Sequence, residues 1–85
     1  MNYAVVFDPK AEKQLEKLDQ ATVRRVLKKI REAAESGRGM EALRDAAYGY
    51  KIRVGDYRIL IDMSQNQKLI WVRMIDHRKR VYKRM

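Results

Sequence analysis

Lys51, Arg53 and Arg58 lie close together in the chain, and a second run of cations, Arg78, Lys79, Arg80, Lys83 and Arg84, follows His77 and surrounds Tyr82. Guanidinium and ammonium groups gathered on one surface bind phosphate. A tyrosine among them suits stacking on an unpaired nucleobase, a contact worth roughly 1–3 kcal/mol per base. These residue types therefore point to a site that holds a nucleic-acid phosphate together with a base. Other schemes find little support. His77 is the only histidine, so there is neither a His pair for acid and base nor a His-rich metal site, and with no cysteine there is no thiolate chemistry and no disulfide framework. Asp45, Asp56, Asp62 and Asp76 show no ligand spacing and sit among cations, although a carboxylate-only magnesium site stays open. The Gly37 to Gly39 segment lacks the Lys and Ser or Thr of a phosphate-binding loop. No metal or cofactor is expected. Trp71 reads as a core residue, and Met40, Met63 and Met74 as packing.

The elements that must position these groups can be read from periodicity. Residues Asn2 to Phe7 are rich in β-branched and aromatic types and read as a strand. Asp8 followed by Pro9 opens a helix, with Ala11, Leu15 and Leu18 as its buried stripe. Asp19 or Gln20 interrupts, and a second helix carries Val23, Val26, Leu27, Ile30, Ala33 and Ala34 on one face, the two helices forming a hairpin. Ser36 to Gly39 ends that helix, and Met40 to Gly49 reads as an irregular connection. The period then changes to two over Tyr50 to Val54, Tyr57 to Met63 and Lys68 to Ile75, an antiparallel meander. The expected fold class is α+β: an N-terminal strand, a helix hairpin, then a three-stranded antiparallel meander, with the helices packed on one face of the sheet. His77 to Met85 is left as a basic tail or short helix.

The hairpin register follows from its turn. With Gly55 and Asp56 as a two-residue type II′ loop, Val54 faces Tyr57, Arg53 faces Arg58, Ile52 faces Ile59, Lys51 faces Leu60 and Tyr50 faces Ile61. Alternation puts Tyr50, Ile52, Val54, Tyr57, Ile59 and Ile61 toward the core, and Lys51, Arg53 and Arg58 on the other side. Like charges directly opposite on paired strands are destabilising, a cost that an anion bound between them would remove. The alternative is that these cations splay into water or pair with Asp62 and Asp76.

Length and charge agree with this. At 85 residues there is room for one domain, residues 1–85, with a modest core that a bound partner can stabilise. A net charge of +9 makes polyanions the expected partners. No stretch approaches the roughly 18 apolar residues of a membrane span, and Met1 to Asp8 has neither the basic nor the long apolar region of a secretory signal, so a cytoplasmic location is expected.

The string YKIRVGDYRIL at Tyr50 to Leu60, followed after a strand by DHRKRVYKR at Asp76 to Arg84, resembles the RelE/ParE superfamily of toxins from toxin–antitoxin systems. The likeness runs the whole chain, including the opening strand with its FDP-like turn and Leu43-Arg44 in place of the family's usual Leu-(Lys/Arg) before the meander. It implies a small antiparallel sheet against two helices, resembling a microbial ribonuclease without its Glu and His pair. RelE-like members cleave messenger RNA in the ribosomal A site, so the resemblance implies a metal-independent endoribonuclease that activates a ribose 2′-hydroxyl. By position Lys51 and Arg53 match the two basic strand residues, Arg58 the arginine after the hairpin tyrosine, and Tyr82 the C-terminal tyrosine. Arg78 or Arg80 takes the C-terminal arginine role, and His77 contributes as in YoeB-like relatives. Arg44, His77, Lys79, Arg80, Lys83 and Arg84 are expected to bind RNA. An arginine is almost never neutral, which leaves Lys51 the better general base. The implied partners are an acidic RelB-like antitoxin in a hetero-oligomer, the ribosome and mRNA. Two competing readings remain: a ParE-like inhibitor of DNA gyrase with the same fold, and a non-catalytic RNA- or ribosome-binding protein.

Overall fold

A computed structural model describes residues 2–77. Strand β1 (Ala4–Phe7) leads into helix α1 (Pro9–Glu16) and helix α2 (Gln20–Ser36), followed by strands β2 (Met40–Ala42), β3 (Tyr50–Val54), β4 (Tyr57–Ser64) and β5 (Leu69–His77). The α+β class holds, with one addition. Met40–Ala42, expected to be irregular, pairs antiparallel with β3 and closes the edge of a five-stranded sheet of order β1-β5-β4-β3-β2. Three residues are too few for alternation to announce a strand; only the partner's free edge makes it one. At the other edge β1 runs parallel to β5, the two helices serving as the crossover.

Local chemistry explains the helix limits. Asp19 caps α2, accepting from the Thr22 backbone N–H and hydroxyl. At the far end Gly37 adopts φ 75° and its N–H reaches the Ala33 carbonyl, a left-handed stop that glycine adopts without strain. Asp8 occupies the N-cap of α1 but gives no side-chain cap bond. Its carboxylate is engaged by Arg73 instead.

The core lies between helices and sheet. Ala11, Val26, Ile30, Ala33 and Ala34 from the helices meet Ile52, Val54, Ile59, Ile61, Ile70, Val72 and Ile75 from the strands, all buried. Each helix docks on the sheet, α1 against β5 and β1 and α2 against β3. Leu27, expected on the buried stripe of α2, is 37% exposed at the margin of that contact.

The hairpin register is the one the turn predicts, including Arg53 opposite Arg58. Gly55 carries the positive φ of 58° at the first loop position while Asp56 does not, as a type II′ turn requires. Between β4 and β5 the pairing slips: Leu60 faces Met74 but Ile61 faces Val72, so Arg73 is an extra residue, a β-bulge. The bulge has two supports. Gln14 on α1 accepts the Ile75 N–H at 2.7 Å, and Arg73 donates to Asp62 at 2.9 Å and to Asp8 at 3.2 Å. Holding those carboxylates raises the Arg73 pKa further, chiefly through the Asp62 hydrogen bond and then that of Asp8.

Candidate nucleic-acid interface

The face of the sheet away from the helices carries the cations. Arg53 on β3 and Arg58 on β4 are cross-strand neighbours, and Asp76 on β5 is in register beside Arg58. One row further along, Glu41 on β2 pairs with Lys51 on β3, next to Leu60 and Met74. The strands thus present Lys51, Arg53 and Arg58 together, as alternation requires once Ile52, Val54, Ile59 and Ile61 are buried.

These cations differ in their company. Arg53 is exposed and makes no ion pair among the described residues. Lys51 Nζ stands 3.7 Å from Glu41 Oε2. Arg58 Nη2 stands 3.6 Å from Asp76 Oδ2, and Asp76 is itself only 8% exposed. Of the two sources of relief expected for the Arg53/Arg58 repulsion, a bound anion or the chain's own carboxylates, Asp76 supplies some from within the chain. The relief is incomplete: the contact is long, and Arg58 Nε is buried with no hydrogen-bond partner. A buried guanidinium N–H left unpaired costs free energy, and a phosphate oxygen that reached it would recover that cost. Asp62, the other carboxylate expected to pair with these cations, is instead bound to Arg73 and to the Gly49 N–H.

The bulge redirects the end of β5. Strict alternation from the buried Ile70 and Val72 would turn Asp76 inward and His77 outward. With Arg73 inserted, Ile75 is buried, Asp76 joins the Arg58 row, and His77 pairs with Tyr57 on the helix side. The His77 and Tyr57 rings meet edge to face, centroids 4.7 Å apart. His77 is thus the last residue of β5 rather than the first of a tail, and it lies across the sheet from Arg53 and Arg58. Arg44 is exposed in the connection between β2 and β3. Arg78, Lys79, Arg80, Tyr82, Lys83 and Arg84 lie outside the described residues.

Trp71 corrects another expectation. It pairs with Asp62 on the outer face and is half-buried there, not part of the core. Met74 shares that face opposite Leu60, whereas Met40 and Met63 pack against the core. Glu41 and the placing of Asp76 on this face were not legible from local pattern: Glu41 needed the unannounced strand β2 and Asp76 needed the bulge, whereas Trp71 and Arg73 turn outward by plain alternation from the buried Ile70 and Val72.

Among the described residues, no group of three or more His, Asp and Glu side chains is placed to hold a metal ion. No helix among them is long and apolar enough to cross a membrane.

The mixed five-stranded sheet with two helices on one face is shared with known proteins. The family model of the ParE toxin of type II toxin–antitoxin systems matches residues 5–82. The chain belongs to this family, within the RelE/ParE superfamily of toxins. Among solved structures it is similar to the isolated Escherichia coli RelE toxin, with 28% identity over 96% of this chain and 93% of that one and a TM-score of 0.77. It is also similar to a chain of the intact E. coli RelBE toxin–antitoxin complex, with 26% identity, 88% and 95% coverage and a TM-score of 0.76. The archaeal RelE–RelB complex from Pyrococcus horikoshii gives 25% identity, 94% and 99% coverage and a TM-score of 0.73. No curated protein sequence matches the chain.

Proposed function

We propose that this toxin is a metal-independent endoribonuclease that cleaves messenger RNA, acting in the ribosomal A site. The observation that carries this reading is the cationic row on the open face: Arg53 exposed, Arg58 beside it with an unpaired Nε–H, and Lys51 one row away. A scissile phosphate held between Arg53 and Arg58 would meet charge-assisted donors where the phosphorane's negative charge grows. The ribose 2′-hydroxyl attacks that phosphorus, its proton passing to a base while the 5′-oxygen leaves with a proton from an acid. Lys51 is the candidate base; its contact with Glu41 must loosen as substrate binds. Tyr82 is proposed to hold a base by stacking, and Arg78 or Arg80 to add a further cation.

Induction of the protein in cells, with new 5′ ends mapped on translated messages, tests the activity. Cleavage at codon-phased positions supports it; an intact message pool removes it. Purified activity should survive EDTA. Loss on chelation, restored by one divalent ion, would refute the metal-free scheme. RNA binding should weaken with salt, with a log–log slope of about −0.7 per phosphate neutralised.

The antitoxin is proposed to be an acidic segment that folds on the toxin and covers the cationic face, as the +9 charge invites and as the antitoxin complexes among the similar structures support. Co-expression with an acidic neighbouring gene product should restore growth and yield a stable complex.

A second reading, inhibition of DNA gyrase, is favoured by the matching family model, which is that of ParE toxins. We weight the structural likeness to RelE and the cationic row above it. A supercoiling assay decides: gyrase inhibition without RNA cleavage establishes the second reading.

A further inference from the structure

The open face carries an aromatic platform as well as cations. Trp71 lies on β5 between Asp62 on β4 and Val6 on β1, and Val6 is 42% exposed. The Arg73 guanidinium sits 5.5 Å from the centre of the indole. It is not a loose surface arginine: Asp62 on β4 holds Nε at 2.9 Å and Asp8, at the N-cap of α1 just beyond β1, holds Nη1 at 3.2 Å. The ring is therefore backed by a cation fixed at a bulge. Both helices pack on the other face, so no described element covers Trp71.

We propose that Trp71, braced by Arg73, is a stacking site for an unpaired base of the RNA lying across this face. The proposal rests on the ribonuclease reading and adds a subsite to it. The Arg58 row and the Asp62 row are four residues apart along β4, about 13 Å. That distance puts Trp71 at a nucleotide flanking the phosphate held by Arg53 and Arg58, within reach of the same strand. An indole stacks any base, and an aromatic on an open sheet face is a familiar way of holding single-stranded RNA. Its surroundings add a bias. Asp62 and Asp8 repel phosphate, so the backbone keeps to the Arg53 end while the base is turned toward Trp71. Carboxylate oxygens beside the ring accept from an exocyclic amine, which favours adenine, cytosine or guanine over uracil.

Trp71 is the only tryptophan in the chain, so its fluorescence reports on this site alone. The full-length protein is titrated at low salt with short 2′-O-methyl oligoribonucleotides, which cannot undergo 2′-hydroxyl attack, carrying a 3′ dye for anisotropy. Tryptophan emission should be quenched with the same midpoint as the anisotropy change. Trp71→Ala should weaken binding roughly ten-fold or more, with most of the affinity restored in Trp71→Phe. An oligonucleotide of uridine should bind more weakly than one of adenosine. If anisotropy reports binding while emission stays constant, the platform is refuted and the ribonuclease reading stands. If no oligonucleotide binds, the platform falls, and the ribonuclease reading is decided separately by the 5′ ends mapped on translated messages. If emission responds to an acidic antitoxin peptide but not to RNA, the surface is a protein interface and the proposal is overturned. The wild-type quench needs no variant, so the test survives a poorly folding Trp71→Ala.

Discussion

The two faces of the sheet are built from the same strands and obey opposite rules. On the helix side, Ile52, Ile59, Ile61, Ile70 and Val72 are 0 or 1% exposed and belong to one hydrophobic cluster with the buried residues of the helices. On the open side, Lys51, Arg53, Arg58, Asp62, Trp71, Arg73 and Asp76 form a surface of charges that are partly paired, partly left over. The first face stabilises the fold by removing apolar area from water; the second holds like charges in register and gains little from it. Stability and proposed activity are thereby separated by the thickness of one sheet. Substitutions on the helix face should affect activity only through unfolding, and those at the cations of the open face should cost activity well beyond their effect on stability.

The largest effect is expected on the helix side. Ile59→Ala leaves a cavity where the exposure is 0%, at a cost of about 2–5 kcal/mol, which lowers Tm by more than about 10 °C in a domain of this size. Activity should be lost only through unfolding, read by following cleavage against temperature. Cleavage that fails in the folded variant at low temperature would break the separation.

Arg58→Ala is the counterpart on the open face. Losing a cation at the developing charge costs on the order of 100-fold or more in rate, while circular dichroism remains native. The substitution leaves the nearly buried Asp76 without its partner, so a smaller fall in Tm than that of Ile59→Ala is expected, where an unpaired Arg58 would have given none. Near wild-type cleavage by the folded variant would remove Arg58 from the site.

Arg73→Ala tests the bulge. Asp62 and Asp8 lose their shared donor, so Tm should fall by several degrees and amide exchange should speed at Met74 and Ile75. Protection unchanged at those amides would show that Gln14 alone pins the slip in register.

Asp19→Ala is the smallest. The carboxyl is held below its ordinary 3.8 by the Thr22 hydroxyl and then the Thr22 N–H. A lowered folded pKa means the contribution is present above that ordinary value and fades as pH falls through the folded one. The variant should melt a little lower than the parent at pH 7, and the gap should close below pH 3.8. A gap that persists unchanged well below that pH would mean that the carboxylate charge at the cap is not its source.

The comparison also explains what could be read before any coordinates. Short-range rules were enough for the α2 boundaries, since Asp19 and Gly37 satisfy the helix ends locally. They were enough for the β3–β4 register too, since a two-residue turn leaves one pairing and places Arg53 against Arg58. The membership of Glu41 and Asp76 in the open face was a tertiary decision. Strand β2 exists because β3 offers an edge, which brings Glu41 to Lys51. The extra residue at Arg73 is stabilised by Asp8 and Gln14, from the cap and body of α1, and by Asp62 on β4, and no local pattern marks it. That one-residue slip exchanges the faces of everything beyond it: Asp76 goes to Arg58 and His77 to Tyr57. Alternation along a strand is a local property, so the sequence alone determines it between irregularities. Where an irregularity falls depends on which distant donors and acceptors can satisfy the backbone it disturbs, and only the packed structure brings them together.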